Sequence, residues 1–200
     1  MTDQSVSRFG HVELADFPTD LRERITPIAE KSGFVPNVFR AMARRPAELR
    51  AFLDYHDALM EPTTDDEGTE IGLTRAEREL VVVATSGANH CTYCVVAHGA
   101  ILRIRTKDPT IADRVASNPY GAELSGRERA IVDLALRISL ESARFGDADL
   151  DAARRAGLSD EEIWDVGAIT ALFGLSNRIA HLTALQPNAE FYAMGRQPRA

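Results

Sequence analysis

Three segments of this chain open alike, with a leucine, a hydroxyl residue, and a glutamate three positions beyond the hydroxyl. They are Leu73-Thr74-Arg75-Ala76-Glu77, Leu124-Ser125-Gly126-Arg127-Glu128 and Leu158-Ser159-Asp160-Glu161-Glu162. In this capping box the hydroxyl accepts from the amide of the third helical residue, and the carboxylate turns back to the amide of the capping residue. Two otherwise unpaired N–H groups are satisfied at once, so three helix starts are expected at fixed points. The positions Leu49, Phe52, Leu53, His56 and Leu59, and again Ile131, Leu134, Ala135 and Ile138, carry the three- and four-residue spacing of a helix face. The β-branched run Val81-Val82-Val83 lies inside the first capped segment with helix formers on both sides, and reads as buried helix rather than strand. The expected fold class is all-α, with one helical domain over residues 1–200.

Gly72-Leu73-Thr74 and Gly157-Leu158-Ser159 each precede a long apolar stretch that meets a glycine, at Gly87 and Gly174. The repetition hints at an internal duplication of a helix–turn–helix unit. Pro18, Pro27, Pro36, Pro46, Pro62, Pro109, Pro119 and Pro187 each turn the preceding residue away from helix, so helices of short to medium length are expected. The acidic stretch from Glu61 to Glu70 reads as a solvated loop. Residues 1–18 read as an arm with little order of its own, flexible or held between subunits.

The balance of charge is −7, and no basic cluster exceeds the pair Arg44-Arg45, so the electrostatic footprint of a nucleic-acid partner is missing. Met1 to Gly10 is polar and no apolar run approaches a membrane span, which points to a cytoplasmic protein without a membrane partner. Two cysteines are too few for a disulfide framework. In a reducing compartment a close pair of them reads as redox-active or metal-binding.

The chemistry is concentrated in the core motif, about residues 73–105, from Glu79 through Cys91 and Cys94 to His98. A helix capped at Thr74 is expected to run to about Thr85 and break near Gly87, with Asn89 as N-cap of a second helix. Cys91 would then sit in a first turn, where exposed amides and the helix dipole favour a thiolate. Cys91, Cys94 and His98 share one face by their spacing. Glu79, twelve residues before Cys91, can return to that face if the two helices fold against each other. Reduction of a hydroperoxide by thiols needs an attacking thiolate, a proton for the leaving alkoxide, a second thiol to resolve the sulfenic acid, and an external reductant. The motif supplies the first three.

Other readings remain open at this stage. Cys91 and Cys94 with His98 and either His90 or His181 could hold structural zinc. Glu79 could be a surface carboxylate paired with Arg75, and the dithiol could serve a redox sensor with little turnover. His56, His90 and His181 have no evident partner, Tyr93 reads as a packing residue that could line the site, and Asn177 with Arg178 as a buried polar contact. Helix position favours Cys91 as the attacking thiol, whereas proximity to His98 favours Cys94.

The spacing Glu79-x11-Cys91-x2-Cys94-x3-His98 resembles that of AhpD-like alkylhydroperoxidases in the carboxymuconolactone decarboxylase superfamily, in particular the branch of peroxidase-related proteins. Gly33-Phe34-Val35-Pro36-Asn37-Val38-Phe39-Arg40, the run Leu73 to Glu79, and Gly157 to Ile163 followed by Asn177-Arg178 are similar to the entry, catalytic and C-terminal segments of that branch, so the resemblance covers roughly residues 20–190. It implies an all-α homo-oligomer that reduces alkyl hydroperoxides as an antioxidant enzyme, with Cys94 attacking, Cys91 resolving, and Glu79 and His98 relaying the proton. It further implies a dithiol reductant, such as a lipoylated protein, and no metal or other cofactor. The superfamily's other branch would suggest lactone decarboxylation, which does not need the cysteine pair. One departure stands out: Tyr93 occupies the place of a family histidine, and a phenol cannot act as an imidazole base near neutral pH.

Overall fold

The computed structural model describes residues 6–64 and 66–196. Among them the regular structure is helical but for one short ribbon, in keeping with the all-α expectation. Helices α1 (Thr19–Ser32), α2 (Asn37–Met42) and α3 (Pro46–Met60) lead into a two-stranded ribbon, β1 (Thr63–Thr64) and β2 (Glu70–Ile71). The ribbon is antiparallel, with Thr63 opposite Ile71 and Thr64 opposite Glu70, so the acidic stretch read as loop contains one short paired element. Then follow α4 (Arg75–Ala88), α5 (Thr92–Thr106), α6 (Ile111–Ser117), α7 (Gly126–Glu141), α8 (Asp147–Arg155), α9 (Asp160–Thr183) and the single turn α10 (Glu190–Ala193).

All three expected capping boxes are formed. Thr74, Ser125 and Ser159 accept from the amides of Glu77, Glu128 and Glu162, whose carboxylates return to the capping residues. These caps start α4, α7 and α9, and the three helices pack against one another. Helix α4 is the centre of the molecule, because its residues from Arg78 to Ser86 are buried around the whole circumference. Val81 and Val82 face one apolar cluster with Ile131, Ile169 and Phe173, while Leu80, Val83 and Ala84 face a second with Leu102 and Val132. A run of β-branched residues suits this place: they lose some side-chain freedom in a helix, but burial on all sides outweighs it at about 1.5–3 kcal/mol per side chain.

Two polar devices fix α4. Buried Arg78 donates to the carbonyls of Leu59 (2.7 Å) and Leu73 (3.0 Å) and to Asp165 Oδ2 of α9 (2.6 Å). At the other end, a Cβ on Gly87 would lie 2.9 Å from the Ala116 Cα, so the backbones of α4 and α6 touch where only glycine fits.

Three local expectations are corrected. Pro27 lies inside α1, which continues to Ser32 before Gly33 closes it in the left-handed conformation (φ 84°). The buried anchors Leu21 and Ile25, set against Leu49 and Leu53 of α3, hold the helix together despite the lost backbone hydrogen bond. Helix α9 passes through Gly174 without breaking and runs to Thr183, so the second copy of the Gly-Leu-hydroxyl opening lacks the turn that follows α4. Residues 6–18 are tied to the body of the chain: the Arg8 amide donates to Thr183 O, Val12 to Arg40 O and Gln186 to Val6 O. Phe17 is buried between α1 and α3. Residues 1–5 of the expected arm lie outside the described residues.

Candidate active site

The turn between α4 and α5 places the cysteines. Helix α4 runs on to Ala88, slightly beyond the expected Thr85, and Asn89 closes it as C-cap instead of opening the next helix. His90 takes the left-handed conformation (φ 55°), its amide bonding Gly87 O, and the Cys91 amide reaches back to Ser86 O (2.9 Å). Helix α5 therefore begins two residues later than the sequence suggests, and Cys91 is itself its N-cap. The short αL turn uses up the residues that would have let Asn89 cap.

As N-cap, Cys91 makes no side-chain capping hydrogen bond, but the Cys94 backbone amide is among the groups that favour its thiolate. The Cys94 thiol also donates to it, and together with the amide, the charge of His181 and the Asn177 side chain it draws the Cys91 thiol down to about 6 despite burial. The Cys94 thiol is pushed well up, because it donates to Cys91 and is buried. Both cysteines are free, and their surroundings favour the negative charge on Cys91 over Cys94. Both are almost fully buried, at 1% and 2% exposure.

One turn beyond Cys94, His98 Nδ1 donates to Glu79 Oε2 over 2.8 Å. Glu79 is 4% exposed, and Arg75, the surface partner considered for it, bonds Glu61 and Glu70 instead. The imidazole stands edge-on to Phe173 of α9, with ring centroids 4.7 Å apart, and the His56 ring lies 6.2 Å away. With Nδ1 engaged by a carboxylate, Nε2 is left to give or take a proton.

Helix α9 closes the site with Ser176, which the sequence does not single out, and with Asn177, buried in polar contacts as expected, while Arg178, read together with it, is exposed and donates to Gly174 O. Ser176 Oγ lies 3.7 Å from Cys94 Sγ. Buried Asn177 donates to Ser86 Oγ (3.1 Å), accepts from Asn89 Nδ2 (3.0 Å), and reaches both sulfurs. It pins the α4–α5 turn to α9. The available signal was a Ser-Asn pair inside an otherwise apolar helix segment, where a polar group needs a partner. His181, read as having none, donates from Nε2 to His90 O (3.3 Å) and adds its charge near Cys91.

Tyr93 points away from this chemistry. Its buried hydroxyl accepts the Val38 amide of α2 (3.1 Å), and burial raises the phenol above its ordinary range. It therefore ties α5 to the Gly33–Arg40 segment. Among the described residues no group of three or more His, Cys, Asp or Glu side chains is arranged to hold a metal ion, and no helix is long and apolar enough to cross a membrane.

Ser176 also lines a pocket of about 330 Å3. Its walls come from α2, α3 and the last two turns of α9, and Ser176 is its link to Cys94.

Residues 46–116 match the model of the carboxymuconolactone decarboxylase family. Among solved structures, an uncharacterized peroxidase-related protein from Ralstonia eutropha JMP134, described as an alkylhydroperoxidase AhpD core, is 51% identical, with 98% of this chain and 100% of that one covered at a TM-score of 0.91. An uncharacterized peroxidase-related protein from Silicibacter sp. TM1040 is 34% identical, with 98% and 99% covered at a TM-score of 0.86. The debrominase Bmp8, in complex with 2,3,4-tribromopyrrole, shares the fold at 20% identity, with 96% of each chain covered and a TM-score of 0.70. Among curated proteins none matches.

Proposed function

The chain belongs to the carboxymuconolactone decarboxylase family, with AhpD-like relatives over nearly its full length, and from that premise we propose that it is a thiol peroxidase acting on alkyl hydroperoxides. The observation that carries the reading is the buried dithiol held as a monoanion at a helix N-terminus, one turn from a buried carboxylate–imidazole pair. A thiolate is the nucleophile, and a positioned imidazole supplies the proton that the leaving group needs.

In this mechanism the Cys94 thiol proton moves along its existing hydrogen bond to Cys91, leaving the anion on Cys94, the sulfur behind Ser176 and the pocket. Cys94 attacks the terminal oxygen of the hydroperoxide, the O–O bond breaks, and its electron pair leaves on the alkoxide, which takes a proton from His98. Glu79 orients the ring and balances its positive charge. Cys91 then attacks the Cys94 sulfenic acid: the S–S bond forms, the S–O bond breaks, and the oxygen leaves as water. Two electrons have passed from the dithiol to the peroxide. An external dithiol, for which a lipoylated protein is the proposed source, reduces the disulfide by exchange and returns two thiols.

The direct test is consumption of tert-butyl hydroperoxide with dihydrolipoamide as the only reductant. Catalytic turnover that disappears in the Cys91→Ser/Cys94→Ser double variant is expected. Oxidation no faster than that of free dithiol would defeat the proposal.

We also propose self-association along α9. Trp164, Ala168, Ala171, Leu175, Arg178 and Leu182 recur at alternating four- and three-residue intervals, and Trp164, Leu175 and Leu182 are strongly exposed. An exposed apolar stripe at this spacing suits the same helix of a second copy.

A further inference from the structure

The pocket beside Cys94 has a chemical character of its own. Val38, Ala41, Phe52, Ile179, Leu182 and Leu185 give it apolar walls, and at about 330 Å3 it is near the small end of ligand sites, roughly 300–1,000 Å3. The side chains at its mouth are different. Arg44 and Arg45, both exposed, line it there. The one carboxylate lining it, Glu48, is bonded to Arg45. Arg44 lies over the Phe9 ring at 5.0 Å and donates to the Phe9 carbonyl, and no described carboxylate pairs with it. Two guanidinium groups against one carboxylate, on a chain of net charge −7, make this mouth a local reversal of the protein's field.

Apolar walls accept a hydrocarbon chain, and guanidinium forks at the mouth accept a planar carboxylate. Ser176, among the lining residues, lies 3.7 Å from the Cys94 sulfur. We propose, resting on the peroxidase reading, that the preferred substrate is a fatty-acid hydroperoxide, its carboxylate held at the mouth by Arg44 and Arg45 and its chain directed inward so that the hydroperoxy group meets Cys94. The electron balance is that of the peroxidase step, with a hydroxy fatty acid and water as products. A neutral hydroperoxide of the same length fills the walls but leaves the arginines unmet.

Two measurements on the reduced full-length protein test the assignment. The first compares kcat/KM for a hydroperoxy fatty acid, its methyl ester and tert-butyl hydroperoxide in the wild type and in Arg44→Ala/Arg45→Ala. The acid is expected to lead its ester by about tenfold, the worth of one charge-assisted contact, and to lose that lead in the variant while the ester and tert-butyl hydroperoxide are unchanged. Equal rates for acid and ester, with normal turnover of tert-butyl hydroperoxide, would overturn the assignment and leave the peroxidase reading intact. The second measurement is calorimetric binding of dodecanoate against dodecanol, which needs no turnover. Tighter binding of dodecanoate that is lost in Arg44→Ala/Arg45→Ala supports the site even if no peroxide is reduced, a result that would sink only the peroxidase reading. Absence of dodecanoate binding, together with a particle mass that falls in Arg44→Glu/Arg45→Glu, would mean that a second copy of the chain fills the pocket, and would overturn the assignment.

Discussion

Replacing Glu79 with glutamine probes the relay while changing little else. The glutamine carbonyl can still accept the 2.8 Å hydrogen bond from His98 Nδ1, so the ring keeps its orientation and loses only the negative charge beside it. That charge sits in a water-poor place, since the two side chains are 5% and 15% exposed. Hydrogen bonds to charged groups in such settings are worth about 1.5–3 kcal/mol, against about 0.5–1.5 for neutral ones. The difference of about 1–1.5 kcal/mol, at about 1.4 kcal/mol per factor of ten, predicts a loss of roughly fivefold to tenfold in the rate of peroxide reduction. His98→Ala, which removes the donor itself, should lose more, within the roughly 10²–10⁴ range of general acid catalysis. The assay is stopped-flow oxidation of the reduced protein, with iodoacetamide alkylation of the same sample as control. Alkylation needs a thiolate but no proton donor, so Glu79→Gln should keep its alkylation rate while its peroxide reduction falls. Peroxide reduction within twofold of wild type, in a protein that melts normally, would refute the relay.

Alkylation of the reduced protein followed against pH should show a half-point near pH 6, carried by Cys91, well below the ordinary thiol value of 9.0. Because this acid is strengthened by folding, its stabilising contribution is complete above the unfolded thiol value and is lost as pH falls through about 6. Denaturant midpoints of the reduced form should therefore decline from pH 9 to 6, and those of the oxidised form should lack this component. Arg78→Ala should cost about 3–5 kcal/mol in chemical denaturation, since it strands the Asp165 carboxylate and two buried carbonyls, and Asp165→Asn in the same chain should recover part of the loss. Light scattering should give more than one subunit mass for wild type, and a single subunit mass for Trp164→Glu/Leu175→Glu. An unchanged mass would remove α9 as the contact.

The three helix starts and the burial of α4 were legible because they are local: a hydroxyl and a glutamate three residues apart bond only if a helix begins there. The Glu79–His98 pair was legible through spacing, which places both groups on facing sides of one helical hairpin. What the sequence concealed depends on contacts across the chain. Ser176 and Asn177 meet the α4–α5 turn from 82 to 91 residues away, and no period within α9 says which helix its polar pair will face. Cys91 as N-cap, in place of Asn89, followed from a single left-handed residue, His90, that a helix pattern does not register. Tyr93 was ambiguous for the same reason, because its partner is an amide 55 residues earlier. The arginine-rimmed pocket was equally hidden, since Arg44, Arg45 and Leu182 come together only in the folded chain.

The central claim is that Cys94 is oxidised by the peroxide and Cys91 resolves it. It is tested most directly by treating Cys91→Ser and Cys94→Ser with one equivalent of alkyl hydroperoxide in the presence of dimedone and mapping the adduct by mass spectrometry. An adduct on Cys94 in Cys91→Ser, formed much faster than free cysteine reacts, is expected, with no adduct in Cys94→Ser. A rapid adduct on Cys91 in Cys94→Ser, with Cys94 unmodified in the companion variant, would contradict it.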